Sequence, residues 1–237
     1  MTELLTAAQM RAIEQAAIES GEVTGLELME RAGRGVVEAI LEEWPALKHK
    51  RGLFGLFGPA RRAVIMCGPG NNGGDGFVIS RLLHALRWEV IVFFKGAARD
   101  LSPNARSNYD KWSTIGPIHE LPSGKERLEL LCDPHPDLWV DAFFGIGLNR
   151  VLPEDVTHFM KSIYYEQNWC RAPIVAVDMP SGVSSDTGKS VQVFHLTADL
   201  TVTFHQMKHG HILEDGPDRC GKVVVKSIGI PAEMTGK

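Results

Sequence analysis

The chain has 237 residues, with 25 basic and 29 acidic side chains and a formal net charge of −4. That balance lacks the basic footprint that duplex DNA or an anionic membrane would attract, so neither is expected as a partner. Hydrophobic residues make up 44% and charged residues 23%, which fits a chain that buries a full core rather than a disordered or fibrous one. No apolar run approaches the ~18 residues of a membrane span.

The N-terminal segment MTELLTAAQMRAIE is acidic and amphipathic, unlike a signal peptide. Two capping-box patterns, Thr6 with Gln9 and Thr24 with Glu27, predict two helices in the first 45 residues, separated at Gly21. In the second, Leu26, Met29, Ala32, Val36, Val37, Ile40 and Leu41 recur at helical spacing. The basic, glycine-rich stretch Lys48 to Arg62 reads as an exposed loop. From residue 63 apolar runs alternate with amphipathic segments. The runs predict strands at Ala63–Cys67, Glu89–Phe94, Leu138–Ala142, Ile174–Val177, Leu200–Phe204 and Lys222–Ile228. The segments between them predict helices at Phe77–Arg87, Asn104–Trp112, Lys125–Leu131 and Glu154–Tyr165. Strands apolar on both faces and joined by helices imply a parallel sheet covered on both sides. Beyond about residue 190 no convincing helix separates the strands, so that end of the sheet is expected to be mixed or antiparallel.

Ligands of open α/β sheets bind at the carboxyl ends of the strands, which directs attention to three segments. After the first strand comes Gly68-Pro69-Gly70-Asn71-Asn72-Gly73-Gly74-Asp75-Gly76. Glycines permit positive φ and close backbone approach, so such a loop can aim N–H groups at an anionic oxygen. It matches GxGxxG, yet no acid follows at the tip of the second strand (Phe94-Lys95-Gly96), as a standard dinucleotide site requires. Gly74 and Gly76 disfavour a helix starting at Gly70, so Asp75 is placed near the N-cap of Phe77–Arg87. Asp141 and Asp178 fall at the ends of two buried strands, where a carboxylate is costly unless paired, hydrogen-bonded or ligated.

CGPGNNGGDGFVISRLL resembles the signature of the YjeF N-terminal family, the NAD(P)H-hydrate epimerases. Val140 to Gly147 (VDAFFGIG), Val177 to Gly182 (VDMPSG) and Leu28 to Gly33 (LMERAG) resemble further segments of that family, and the likeness runs from about residue 6 to about 228. The resemblance implies an α/β fold, a Rossmann-like three-layer αβα sandwich with a mostly parallel sheet and an N-terminal helical extension. The widely spaced cysteines read as those of a cytoplasmic protein, and the resemblance implies a homodimer that interconverts the R and S forms of hydrated NADH and NADPH at C6 of the nicotinamide ring. By the same resemblance Asn71, Asn72, Gly73, Gly74 and Asp75 contact the substrate. Gly145, Ile146, Gly147, Leu148, Asn149, Arg150 and Val151 lie along it, and Asp178 meets its reacting end as the catalytic residue. One potassium ion (K+) per subunit would be held by Asn72, Asp141 and Ser181, oxygen donors suited to a hard cation. The chemistry would be coupled to an ADP- or ATP-dependent NAD(P)H-hydrate dehydratase. The length is expected to make one domain over residues 1–237, standing alone or as the front half of a bifunctional protein. The alternative reading is a non-catalytic nucleotide- or protein-binding module of the same fold.

Inverting a carbinolamine carbon requires the hydroxyl or the ring C–N bond to leave and return, with a group that gives and takes back a proton; Asp178 is the expected group. Lys208 is read either as a support for the substrate's phosphates or as a solvated lysine. His205, His209 and His211 lack a matching acid or cysteine at ligand spacing and read as loop histidines. Phe93, Phe94, Phe143 and Phe144 read as strand core. Cys67, Cys132, Cys170 and Cys220 form no CxxC pair and read as free thiols of a reduced compartment.

Overall fold

The computed structural model describes residues 4–48, 59–121, 135–148, 150–167 and 171–230. The expected helix Lys125–Leu131, most of the expected loop Lys48–Arg62, Cys132, Cys170 and Asn149 lie outside those residues. The apolar runs form β1 (Arg62–Cys67), β2 (Glu89–Phe94), β4 (Leu138–Ala142), β5 (Ile174–Val177), β6 (Leu200–Phe204) and β7 (Lys222–Lys226). A two-residue strand that no apolar pattern announced, β3 (Ile118–His119), closes one edge. The sheet order is β3-β2-β1-β4-β5-β6-β7. Every pairing in it is parallel.

The expectation of a mixed or antiparallel end is therefore wrong. A short helix, α6 (Gly216–Cys220), and a 3₁₀ turn at His209–His211 carry the chain from β6 back to the start of β7. Both are too short to show helical periodicity in sequence.

Alternate residues of the central strands face opposite layers. Ile65, Val92, Val140, Val175 and Val202 face α1 (Ala7–Glu19), α2 (Gly25–Glu43), α3 (Asn71–Ala85) and α4 (Pro103–Ser113). Val64, Met66, Phe93 and Trp139 face α5 (Glu154–Gln167) through Val156, Phe159, Met160 and Ile163. The result is a helix–sheet–helix sandwich of Rossmann-like α/β class. No helix among the described residues is long and apolar enough to cross a membrane.

Both capping boxes are present: Thr6 and Thr24 accept from the N3 amides of Gln9 and Glu27, whose side chains bond back to the cap amides. The apolar face of α2 is as read from the spacing, except that Leu26 is exposed and Leu28 buried instead. The segment before α1 docks onto the chain after β6, with Leu5 N–H donating to Met207 O at 3.0 Å and His209 N–H donating to Leu5 O at 3.3 Å. Asp186 Oδ1 accepts from the Ala7 amide at 2.6 Å. These contacts lay α1 across the carboxyl ends of the strands.

Candidate active site

The strand order reverses between β1 and β4, which makes the carboxyl ends of those two strands the switch-point crevice of the sheet. A cavity of about 380 Å³ opens there, within the ~300–1,000 Å³ common for small-molecule sites.

The glycine segment shapes the crevice differently from the expectation. Helix α3 begins at Asn71 with Gly70 as its N-cap, not at Phe77 with Asp75 near the cap. None of Gly68, Gly70, Gly73, Gly74 and Gly76 has positive φ. Three of them, Gly68, Gly73 and Gly76, are required because there is no room for a Cβ, and at Gly74 a Cβ would have to displace the flexible end of Met29. A Cβ on Gly68 would lie 1.8 Å from Phe143 O, and one on Gly73 would lie 1.9 Å from Gly68 O. On Gly74 it would meet Met29 at 2.6 Å, and on Gly76 the Cys67 Sγ at 2.7 Å. These glycines cost helix propensity, and in exchange α3 packs its first turns directly against β1 and α2. The amides that open α3 have no intrahelical acceptor, as at any helix start, and this favours an anionic oxygen beside Asn71 and Asn72.

Of the residues named from sequence, Asn71, Asn72, Asp75, Gly145, Ile146, Gly147, Leu148 and Asp178 line the cavity. Gly73 and Gly74 do not line it; they are buried in the packing of α3. Arg150 and Val151 are exposed and also stand outside the lining. Phe93, Phe94 and Phe143 are buried in the core as expected and Phe144 packs against it, while Phe143 and Phe144, just after β4, also contribute to the cavity wall.

Asp178 follows β5 with φ of 65°, a left-handed conformation that Asp tolerates better than most residues. Its amide donates to Val202 O at 2.8 Å. Its Oδ1 accepts from Lys208 Nζ and from Thr203 Oγ1, each at 2.8 Å. Its Oδ2 takes neither bond and faces Gly145, where a Cβ would lie 3.4 Å away. Burial pushes the carboxyl up, but the Lys208 charge and the hydrogen bonds from Lys208 and Thr203 outweigh it and hold Asp178 below the usual carboxylate range.

Lys208 is consequently neither a phosphate ligand nor a solvated lysine. Its side chain is fully buried, and Nζ also donates to Phe204 O at 3.0 Å. His211 completes the arrangement. Its Nδ1 accepts from the Lys208 amide at 2.9 Å, which leaves Nε2–H to donate to Asp178 O at 2.8 Å. Burial lowers the His211 pKa, consistent with a neutral ring in that tautomer.

Asp141 and Ser181 are buried partners. Ser181 Oγ donates to Asp141 Oδ1 at 2.7 Å and Ser181 N–H donates to Oδ2 at 2.8 Å. Ser181 Oγ in turn accepts from Phe144 N–H at 2.9 Å. Burial raises the Asp141 pKa against the pull of these bonds, and no cationic side chain pairs with it among the described residues. The Asn72 Nδ2 is buried without a hydrogen-bond partner among the described residues, and its Oδ1 crowds Gly145.

Three residues that the sequence reading did not place in the site also line the cavity: Arg11, Glu14 and Phe204. Arg11 Nη2 donates to Ile146 O at 3.2 Å, bracing the loop after β4. Burial and the Asp178 charge raise Glu14 from 4.5 to about 7, with Lys208 and Arg11 opposing. Asp75 is raised well above its usual range by burial and by the charges of Asp178 and Glu14. The only signal for Arg11 and Glu14 was their i, i+3 spacing beside the buried positions Met10, Ile13 and Ala17 of α1.

The family described as YjeF-related protein N-terminus matches residues 25–210. A protein of Rhodobacter capsulatus named NAD(P)H-hydrate epimerase is 42% identical over 97% of this chain and 100% of its own length. One of Limosilactobacillus fermentum with the same name is 38% identical over 95% of this chain and 97% of its own. The Bifunctional NAD(P)H-hydrate repair enzyme Nnr of Moorella thermoacetica is 34% identical over 98% of this chain, which spans 41% of that protein. A yeast protein solved by crystallography shares the fold, with a TM-score of 0.79 and 23% identity over 99% of this chain and 94% of the other. The chain belongs to the YjeF-related protein N-terminus family.

Proposed function

We propose that the protein is an NAD(P)H-hydrate epimerase, an isomerase that interconverts the R and S forms of hydrated NADH and NADPH. The observation that carries this reading is convergence. Asn71, Asn72 and Asp75, Phe143 to Leu148, and Asp178 are spread over more than a hundred residues of chain, and they line one switch-point cavity. The intact acids Asp75, Asp141 and Asp178 speak against a non-catalytic binding module. Asn71 and Asn72 at the start of α3 bind the dinucleotide, and Gly145 to Leu148 form the opposite wall. Asp178 meets the reacting C6. Held ionised by Lys208, its Oδ2 is suited to take a proton from the C6 hydroxyl and return it.

Asn72, Asp141 and Ser181 fit a potassium ion. They offer oxygen donors, and Asp141 is a buried carboxylate with no cation beside it among the described residues. When bound, potassium supplies a fixed positive charge that orients the substrate against the loop after β4. A cytoplasmic homodimer acting with an ADP- or ATP-dependent dehydratase completes the proposal; light scattering in solution tests the dimer.

The activity is tested by supplying R-hydrate together with an S-specific dehydratase and following NADH recovery. The expected result is recovery well above the spontaneous background, faster in potassium than in lithium, with potassium also raising the melting temperature. Recovery at the background rate by the folded protein in potassium overturns the reading. Asp178→Asn, which keeps the left-handed backbone accessible, is expected to lower kcat at least ~100-fold.

A further inference from the structure

Epimerisation through a ring-opened intermediate needs a proton taken from one atom and another delivered. Asp178 is placed to take a proton but is held ionised, so it has none to deliver at the start. We propose that Glu14 on α1 is the proton-donating catalytic residue, acting across the cavity from Asp178; this rests on the epimerase reading above.

Glu14 lines the main cavity and also an adjoining one of about 90 Å³, sharing the partition between them with Asn71, Asp75 and Phe204. Although only partly exposed, its carboxyl makes no hydrogen bond or ion pair among the described residues. A half-buried, unheld carboxyl facing a cavity is free to address a ligand. The charged groups facing it are Arg11 from its own helix, Asp75 from α3, Asp178 after β5 and Lys208 after β6. Lys208 is bound to Asp178 and Arg11 to Ile146 O, neither is paired with Glu14, and their charges are outweighed at Glu14 by burial and the Asp178 charge. With a pKa raised to about 7 it carries a proton near neutrality and can still release it. Asp75 is the less suitable donor, since it is 8% exposed and set beneath the α3 start against Cys67.

In the step, Asp178 Oδ2 takes the proton of the C6 hydroxyl and the oxygen forms the C6=O bond. The C6–N1 bond breaks with its electron pair passing to N1, and the Glu14 carboxyl delivers its proton there. The product is an open-chain aldehyde bearing an N1–H, with Glu14 ionised and Asp178 protonated. After rotation about C5–C6, the N1 pair attacks the other face of the aldehyde. N1 returns its proton to Glu14, and the alkoxide recovers the proton from Asp178. Atoms and charge balance without a co-reactant.

The test is kcat/KM for epimerisation from pH 5.5 to 9, which reports the ionisations of the free enzyme, with the spontaneous rate subtracted at each pH. Wild type is expected to lose about tenfold per pH unit above about 7. Glu14→Gln is expected to lower kcat ~100-fold or more and abolish that limb, leaving KM within a few-fold. Glu14→Asp should recover part of the rate with the limb intact, and Asp75→Asn should retain the limb. An active wild type with a kcat/KM flat from pH 6 to 9 overturns the role of Glu14, as does a folded Glu14→Gln variant at near wild-type kcat. If the Gln variant does not fold, the wild-type profile and the Asp variant decide. An inactive wild type overturns the epimerase reading itself.

Discussion

The carboxyls of this site are differentiated by what each one faces. Asp178 has a cation and a hydroxyl on one oxygen, Asp141 has a serine, Glu14 faces Asp178 with Lys208 and Arg11 opposing, and Asp75 faces Asp178 and Glu14. Removing the cation should show how much this matters. Lys208→Met strands the buried Asp178 charge and is expected to destabilise the fold by about 3–5 kcal/mol in denaturant unfolding. Glu14 affects stability with the opposite pH sense to an ion-paired acid. Its folded pKa lies above its unfolded value, so its contribution is complete below about 4.5 and is lost as pH rises through about 7. Glu14→Gln removes that loss, so relative to wild type it should be about 2 kcal/mol more favourable at pH 8 than at pH 5. A stability difference independent of pH would contradict the raised pKa.

At the scale of elements, most strands were legible because each is an apolar run that is buried on both faces. Glu89–Phe94, Leu138–Ala142, Ile174–Val177 and Leu200–Phe204 have the expected bounds. The two N-terminal helices were legible through their capping chemistry. The start of α3 was misread because glycine lowers helix propensity, whereas here tertiary packing decides: Gly73 and Gly76 sit where β1 and the chain at Gly68 leave no room for a side chain. Gly73→Ala therefore should not show the ~1 kcal/mol gain of an exposed helical glycine. It is expected to lose at least about 2 kcal/mol and to weaken substrate binding. Gly70→Ala, with open space around the added methyl, serves as the sterically unhindered comparison and is expected to lose no more than the ~1 kcal/mol of a poorer N-cap. The strand-end acids Asp141 and Asp178 were legible because a buried carboxylate demands a partner. The partner of Asp178, Lys208, was not, because nothing in its sequence surroundings distinguishes a buried lysine from a solvated one.

Across the whole molecule, the site depends on segments from opposite ends of the chain. Leu5 is bonded to the chain at Met207 and His209, Asp186 holds the first amide of α1, and Arg11 grips the loop after β4. Asp186→Ala is expected to cost about 1 kcal/mol and to lower kcat several-fold by loosening the helix that carries Arg11 and Glu14. An unchanged kcat with lowered stability would show that α1 placement is insensitive to this bond. The pairing of Leu5 with the Lys208 segment has a consequence for synthesis. A chain emerging from the ribosome can build β1, α3 and the glycine turn early, yet Asp178 acquires its counter-charge and α1 its seat only after His211 has cleared the exit tunnel. Until then the nascent protein has a sheet and a crevice but no organised set of acids. Activity should consequently appear in one step once that segment has emerged, rather than growing with chain length.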